Sequence, residues 1–113
     1  MTASATIEVL GEPTRRQILD VLREGEQPVN ALVARVAMSQ PAVSKHLRVL
    51  RDAGLVAVRP DGQRRLYHLR TEPLMELDAW LEPYRQMWRV SLDKLERHLD
   101  ESRPESRSRR RRT

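Results

Sequence analysis

Ser39-Gln40-Pro41-Ala42-Val43-Ser44-Lys45-His46-Leu47-Arg48-Val49-Leu50 decides how the rest of this 113-residue chain is read. The stretch predicts a helix with two unlike faces. Ser39 is a suitable N-cap, because its hydroxyl oxygen can accept a bond from a backbone N–H two or three residues further on. Pro41 falls in the first turn, where a missing N–H costs nothing. Val43, Leu47 and Leu50 follow at i, i+4, i+7 and form one buried stripe. Gln40, Ser44, Lys45, Arg48 and Arg51 point the other way. A face mixing amide, hydroxyl and cationic donors carries the groups that hold phosphates and read base edges, so double-stranded DNA is the first candidate partner. His46 lies beside the apolar stripe, which favours half-buried packing over base reading.

Working outward, Val29, Leu32, Val33 and Val36 form a preceding helical stripe, joined to the first by a tight Ala37-Met38 connection. Earlier still, residues 5–10 predict a short helix ended by Gly11. Pro13 then opens a second helix over residues 13–24, with Ile18, Leu19 and Leu22 inward and Gly25 to Pro28 breaking it. On the other side, Gly54 closes the quoted helix. Leu55 to Arg59 read as a strand, Pro60-Asp61-Gly62-Gln63 as a turn centred on Asp-Gly, and Arg64 to Arg70 as the returning strand. Tyr67 and Leu69 share one face of that strand and are its expected core side.

Residues 72–101 are helical again. Leu74, Leu77, Leu81, Tyr84, Trp88, Leu92, Leu95 and Leu99 step by three or four, close to a heptad seam. Pro83 predicts a kink or a break near Leu81–Pro83. Trp80 and Met87 widen the stripe beyond what one thin domain can bury, so it is expected to face another helix pair. Residues 102–113 contain only Ser, Pro, Glu, Arg and Thr and are expected to form a disordered Arg-rich tail.

The formal charge of +5 is unevenly placed. Residues 102–113 carry +5 by themselves, residues 35–70 hold eight Arg/Lys against two Asp, and both flanking segments are acidic. A neutral body with one basic middle segment is a nucleic-acid signature. The chain has no Cys, which excludes disulfides, thiolate metal sites and cysteine redox switching. Met1 to Thr6 lack the pattern of a signal peptide and no apolar run approaches membrane-spanning length, so a cytoplasmic protein is expected. No Gly-rich phosphate loop, carboxylate pair or nucleophile–base spacing suggests an enzyme.

A helix, a tight turn, a capped helix with a polar outer face and then a basic hairpin predict a mainly α fold with a two-stranded β wing, a winged helix-turn-helix. In these residues the chain resembles the ArsR/SmtB-type bacterial repressors. Leu10-Gly11-Glu12-Pro13-Thr14-Arg15-Arg16-Gln17-Ile18-Leu19 is similar to the start of their second helix. Ser39 to Leu47 with Leu50 and Ala53-Gly54-Leu55-Val56 is similar to their recognition helix and its exit. Gly62-Gln63-Arg64-Arg65-Leu66-Tyr67-His68-Leu69 is similar to their wing. The resemblance implies a homodimer, joined mainly by its first and last helices, that binds a two-fold symmetric operator and blocks transcription. It places Ser39, Gln40, Ser44, Lys45 and, with the exposed face, Arg48 at the DNA, and Arg64 and Arg65 on the wing. Leu74, Leu77, Leu81, Tyr84, Trp88, Leu92 and Leu95 are the expected dimer interface. Residues 1–101 are then one DNA-binding and dimerisation domain.

The chain departs from the metal-sensing members. It lacks their Cys-x-Cys, and His98 has only Asp93 and Glu101 near it, at poor spacing. No metal and no cofactor are expected, and the effector is unidentified. Tyr84-x-x-x-Trp88 with the long leucine helix resembles a non-metal subgroup that often regulates its own operon. Two alternatives stand beside this reading. Trp80, Tyr84, Met87 and Trp88 could line an interfacial pocket for a planar small molecule. Arg109 to Arg112 could instead drive sequence-indifferent coating of DNA.

Overall fold

The computed structural model describes residues 3–102. In chain order it contains α1 (Ala3–Leu10), α2 (Pro13–Arg23), β1 (Gln27–Pro28), α3 (Val29–Val36), α4 (Gln40–Asp52), β2 (Val56–Asp61), β3 (Arg64–Leu69) and α5 (Glu72–Ser102). Two compact units divide between Trp80 and Leu81.

The first unit is organised by the apolar stripes. Ile18 and Leu22 of α2, Leu32 and Val36 of α3, and Val43, Leu47 and Leu50 of α4 are buried together, with Leu55 and Val56 closing the cluster. Each such side chain stabilises the fold by about 1.5–3 kcal/mol relative to leaving it in water. Local chemistry sets where each helix begins and ends. The Glu12 carboxylate accepts from the Thr14 N–H at 2.8 Å and caps α2, with Pro13 in the first turn. That backbone bond, joined by the nearby Arg15 guanidinium, holds the Glu12 carboxyl below its ordinary value. α1 has no basic residue of its own in its last turn; its final carbonyls are met from α2, by Arg15 on Val9 and Arg16 on Leu10.

The three-residue connection between α3 and α4 turns on one left-handed residue. Ala37, at φ 55° and ψ 44°, donates its N–H to the Val33 carbonyl at 3.1 Å and ends α3. Among the described residues it is the one non-glycine at positive φ. Ser39 then starts α4, its hydroxyl accepting from the Ala42 N–H at 3.3 Å. At the far end Gly54 takes φ 76°, donates to the Arg51 carbonyl, and lets Leu55 donate back to Leu50, both at 2.9 Å. This is a Schellman closure, which needs a left-handed residue where Gly54 stands.

The sheet is antiparallel with strand order β1-β3-β2. It differs from the expected two-stranded wing by β1, whose two residues pair Gln27 with Tyr67 and Pro28 with Leu66. The sequence reading took Gly25 to Pro28 only as a break; two residues carry no periodicity, and the extended backbone of Pro28 that caps α3 also lays the segment along β3. The hairpin turn is shifted by one residue. Asp61 pairs with Arg64, so Gly62-Gln63 form the loop, with the positive φ of 63° at Gly62 in its first position. That is the two-residue turn whose first residue must be glycine. Pro60 therefore belongs to β2, where an edge strand tolerates its missing N–H. Tyr67 and Leu69 pack on the core as expected, but the most deeply buried residue of β3 is Leu66.

The second unit is the helix from Leu81 onward. α5 carries Pro83 in its interior, so the break contemplated at Leu81–Pro83 does not occur. Strong helix formers on both sides (Glu82, Arg85, Gln86, Met87) offset the one lost hydrogen bond. Arg85 and Arg89 both pair with Glu82, and the Arg85 bond holds the Glu82 carboxyl below its ordinary value. Apart from Ser102, the last residue of α5, the expected Arg-rich tail lies outside the described residues.

Candidate nucleic-acid interface

Burial of Val43, Leu47 and Leu50 fixes which side of α4 faces out. Gln40, Ser44, Lys45, Arg48 and Arg51 are all exposed on it, with Ser39 exposed at its cap. Arg64 and Arg65 are exposed next to the hairpin turn. All seven residues singled out from the sequence for DNA contact are thus on the surface of the first unit, in two groups: one along α4 and one at the wing.

The eight cations of residues 35–70 separate into two kinds. Arg35 pairs with Glu24 at 3.0 Å, Arg64 with Asp61 at 2.9 Å across the turn, and Arg70 with Glu72. Arg59 forks onto Glu26 with bonds of 2.7 and 2.8 Å, which raises the Arg59 pKa and lowers that of Glu26. Lys45, Arg48, Arg51 and Arg65 make no ion pair among the described residues. The unneutralised charge of the basic segment therefore collects on the outer face of α4 and at the second wing strand. Exposed pairs such as Arg64–Asp61 are worth about 0–1 kcal/mol, so an incoming phosphate can displace the carboxylate at small cost.

Arg51, which the spacing placed on the outward face but not among the expected DNA contacts, belongs with Lys45 and Arg48 as a cation without an ion pair among the described residues. One feature escaped the sequence altogether. Arg15 sits under the site: its Nε donates to Nδ1 of His46 on α4 at 3.4 Å while a second nitrogen donates to the Val9 carbonyl at 3.2 Å. Nothing in the pattern of α2 announces that bond, since the partners are 31 residues apart. His46 is half-buried, as expected.

The residues expected at a dimer interface are placed as follows. Leu74 packs against the core of the first unit and Leu77 is half-buried. Leu81 is half-buried, while Tyr84, Trp88, Leu92 and Leu95 are exposed at 45, 55, 62 and 54 %. Among the described residues no three His, Asp or Glu side chains gather as a metal site, and no helix is long and apolar enough to cross a membrane.

A left-handed turn between two packed helices, an outward second helix bearing unpaired cations and a hairpin behind it define a winged helix-turn-helix protein. The sequence profile described as "Bacterial regulatory protein, arsR family" matches residues 12–58, from the α2 cap through the first half of β2. An HTH-type transcriptional regulator of Mycobacterium tuberculosis is 40% identical over 77 residues, 68% of this chain and 72% of its own length. The transcriptional repressor SdpR of Bacillus subtilis is 31% identical over 74 residues, 66% of this chain and 82% of its own. The solution structure of a homodimeric winged helix-turn-helix DNA-binding domain from Mycobacterium bovis, a possible ArsR-family regulator, superposes with a TM-score of 0.60 at 30% identity, covering 74% of this chain and 77% of that one. The chain belongs to the arsR family of bacterial regulatory proteins.

Proposed function

We propose that this protein is a homodimeric transcriptional repressor that reads a two-fold symmetric DNA operator with α4 and grips its backbone with the wing. The observation that carries the reading is the set of unpaired cations, Lys45, Arg48, Arg51 and Arg65, on the two elements that a winged helix presents to DNA. Gln40 and Ser44 supply the neutral donors and acceptors for base edges, Ser39 caps the helix beside them, and Arg64 adds a cation once a phosphate replaces Asp61. The homodimeric M. bovis domain and the SdpR repressor support the oligomeric state and the sign of regulation. The apolar stripe of α5 from Leu77 to Leu95 supplies the interface. The missing Cys-x-Cys supports autoregulation without a thiolate-bound metal.

Selection of binding sites from random DNA tests this reading. The expected result is a palindrome with half-sites one helical turn apart, about 34–36 Å. Recovery of no symmetric sequence at moderate salt would refute it. Binding that survives only with residues 102–113 present would favour the coating alternative instead.

A further inference from the structure

One arginine links three helices. Arg15 stands in the first turn of α2 and is half-buried. One of its terminal nitrogens donates to the carbonyl of Val9, in the last turn of α1, at 3.2 Å. Its Nε donates to Nδ1 of His46, on α4, at 3.4 Å. Glu12, which caps α2, lies close enough for the charge of Arg15 to act on its carboxyl. The same Arg15 and His46 line, with Ser44, Lys45 and Arg48, the groove that opens along α4.

We propose that Arg15 is a positioning residue for DNA reading, holding α4 at a set rotation relative to α1 through His46. The inference rests on the assignment of α4 as the reading helix and deepens it. The physical case has three parts. First, the Val9 carbonyl is an end-of-helix acceptor with no partner within α1, so a cation satisfying it fixes that end of the helix. Second, Nδ1 can accept only as a lone pair, so the bond from Nε orients the imidazole with its remaining N–H on Nε2. Third, His46 stands on α4 between Lys45 on the outer face and Leu47 in the core, so a bond that holds its ring from α2 restrains rotation of the whole helix about its axis, and with it the outer face. At 3.4 Å the Nε bond is long, which limits its effect to that of one ordinary hydrogen bond rather than a buried ion pair.

Arg15 is distinct from the contact residues in a way that can be measured. A phosphate contact contributes equally to every DNA sequence and adds about one unit to the salt slope. A positioning residue changes the ratio between the right sequence and a wrong one and leaves the slope alone. The experiment uses the full-length chain, the selected operator and a scrambled duplex of equal length, each titrated at several salt concentrations. Arg15→Met is expected to weaken operator binding about five-fold, with binding to the scrambled duplex and the salt slope unchanged. His46→Leu, which leaves the guanidinium in place but removes its acceptor, should give a loss of the same size, and the double variant should lose no more than either single one. His46→Gln, whose side-chain oxygen restores an acceptor, should recover most of it. Equal losses on both duplexes with a slope shallower by about one unit would overturn the inference and make Arg15 a direct phosphate contact. An unchanged operator-to-scrambled ratio in both single variants would also overturn it. Should Arg15→Met fail to fold, His46→Leu and His46→Gln decide the matter by themselves. A wild-type chain with no preferred sequence would sink the reading of α4 itself and the inference with it, an outcome distinct from both.

Discussion

Replacing Ala37 by glycine should stabilise the protein. Ala37 holds the left-handed conformation that turns the chain from α3 into α4, at φ 55° and ψ 44°. An L-residue with a Cβ is strained there by about 1–2 kcal/mol. Glycine removes that strain but gains freedom in the unfolded chain, which costs about 0.4–1 kcal/mol. The side chain of Ala37 is exposed, so its removal forfeits little packing. The balance is a net gain of about 1 kcal/mol, equivalent to about 4–8 °C in Tm for a folded unit of this size. Urea unfolding at one fixed protomer concentration should show a higher midpoint with an unaltered slope. Ala34→Gly supplies the opposing control, since it makes the same chemical change at an exposed site within helical α3 and should cost about 1 kcal/mol. If Ala37→Gly were neutral or destabilising, or if the two variants moved together, the strain argument would be wrong.

Other expectations are equally concrete. Lys45→Ala and Arg65→Ala should each make the salt dependence of operator binding shallower by about one unit per protomer, whereas Arg35→Ala, whose guanidinium is occupied by Glu24, should leave it unchanged in the same titration. Ser39→Ala should cost about 1 kcal/mol in thermal or urea unfolding, and Ser39→Thr should keep most of the cap. Trp88→Ala combined with Leu92→Ala should shift the monomer–dimer equilibrium toward monomer in sedimentation; an equally tight dimer would move the interface off this stripe. Glu12, Glu26, Glu72 and Glu82 all have carboxyl pKa values lowered from 4.5, through the Thr14 backbone, Arg59, the Glu72 backbone with Arg70, and Arg85 respectively. A lowered folded value means the stabilisation is complete above 4.5 and is lost as pH falls through the lowered values, so Tm should drop most steeply below pH 4.5. Arg59→Gln, which frees Glu26, should flatten part of that drop.

α2, α3 and α4 were legible because each has a core-facing apolar stripe and a chemical stop. Ile18, Leu19 and Leu22, Leu32 and Val36, and Val43, Leu47 and Leu50 are all buried where their spacing put them. What depended on pairing rather than period was misread. β1 is too short to carry alternation, and the hairpin centre moved from Asp61-Gly62 to Gly62-Gln63 because strand register, not dipeptide composition, selects the turn. Pro83 marked a weak point in α5, but propensity around it carried the helix through. At the site, the exposed face of α4 could be read from its periodicity. Which cations were free could not, because Glu26 reaches Arg59 across 33 residues and Glu24 reaches Arg35 from another helix.

Leu55 stands at the junction of α4 and the wing. It is fully buried, it receives the end of α4 through its own N–H to Leu50, and its carbonyl accepts from Arg70 at 2.8 Å where β3 has just finished. One residue thus ties the end of α4 to both strands of the wing. Gly54 beside it holds the left-handed φ of 76° that the closure of α4 needs. The helix and the hairpin therefore have no hinge between them. On the proposed reading, the spacing between a base contact made by α4 and a backbone contact made by the wing is set within each protomer. Adapting this protein to a new operator would then be a matter of exchanging side chains on a rigid template, and differences in half-site separation would have to be absorbed elsewhere, by the DNA or between protomers.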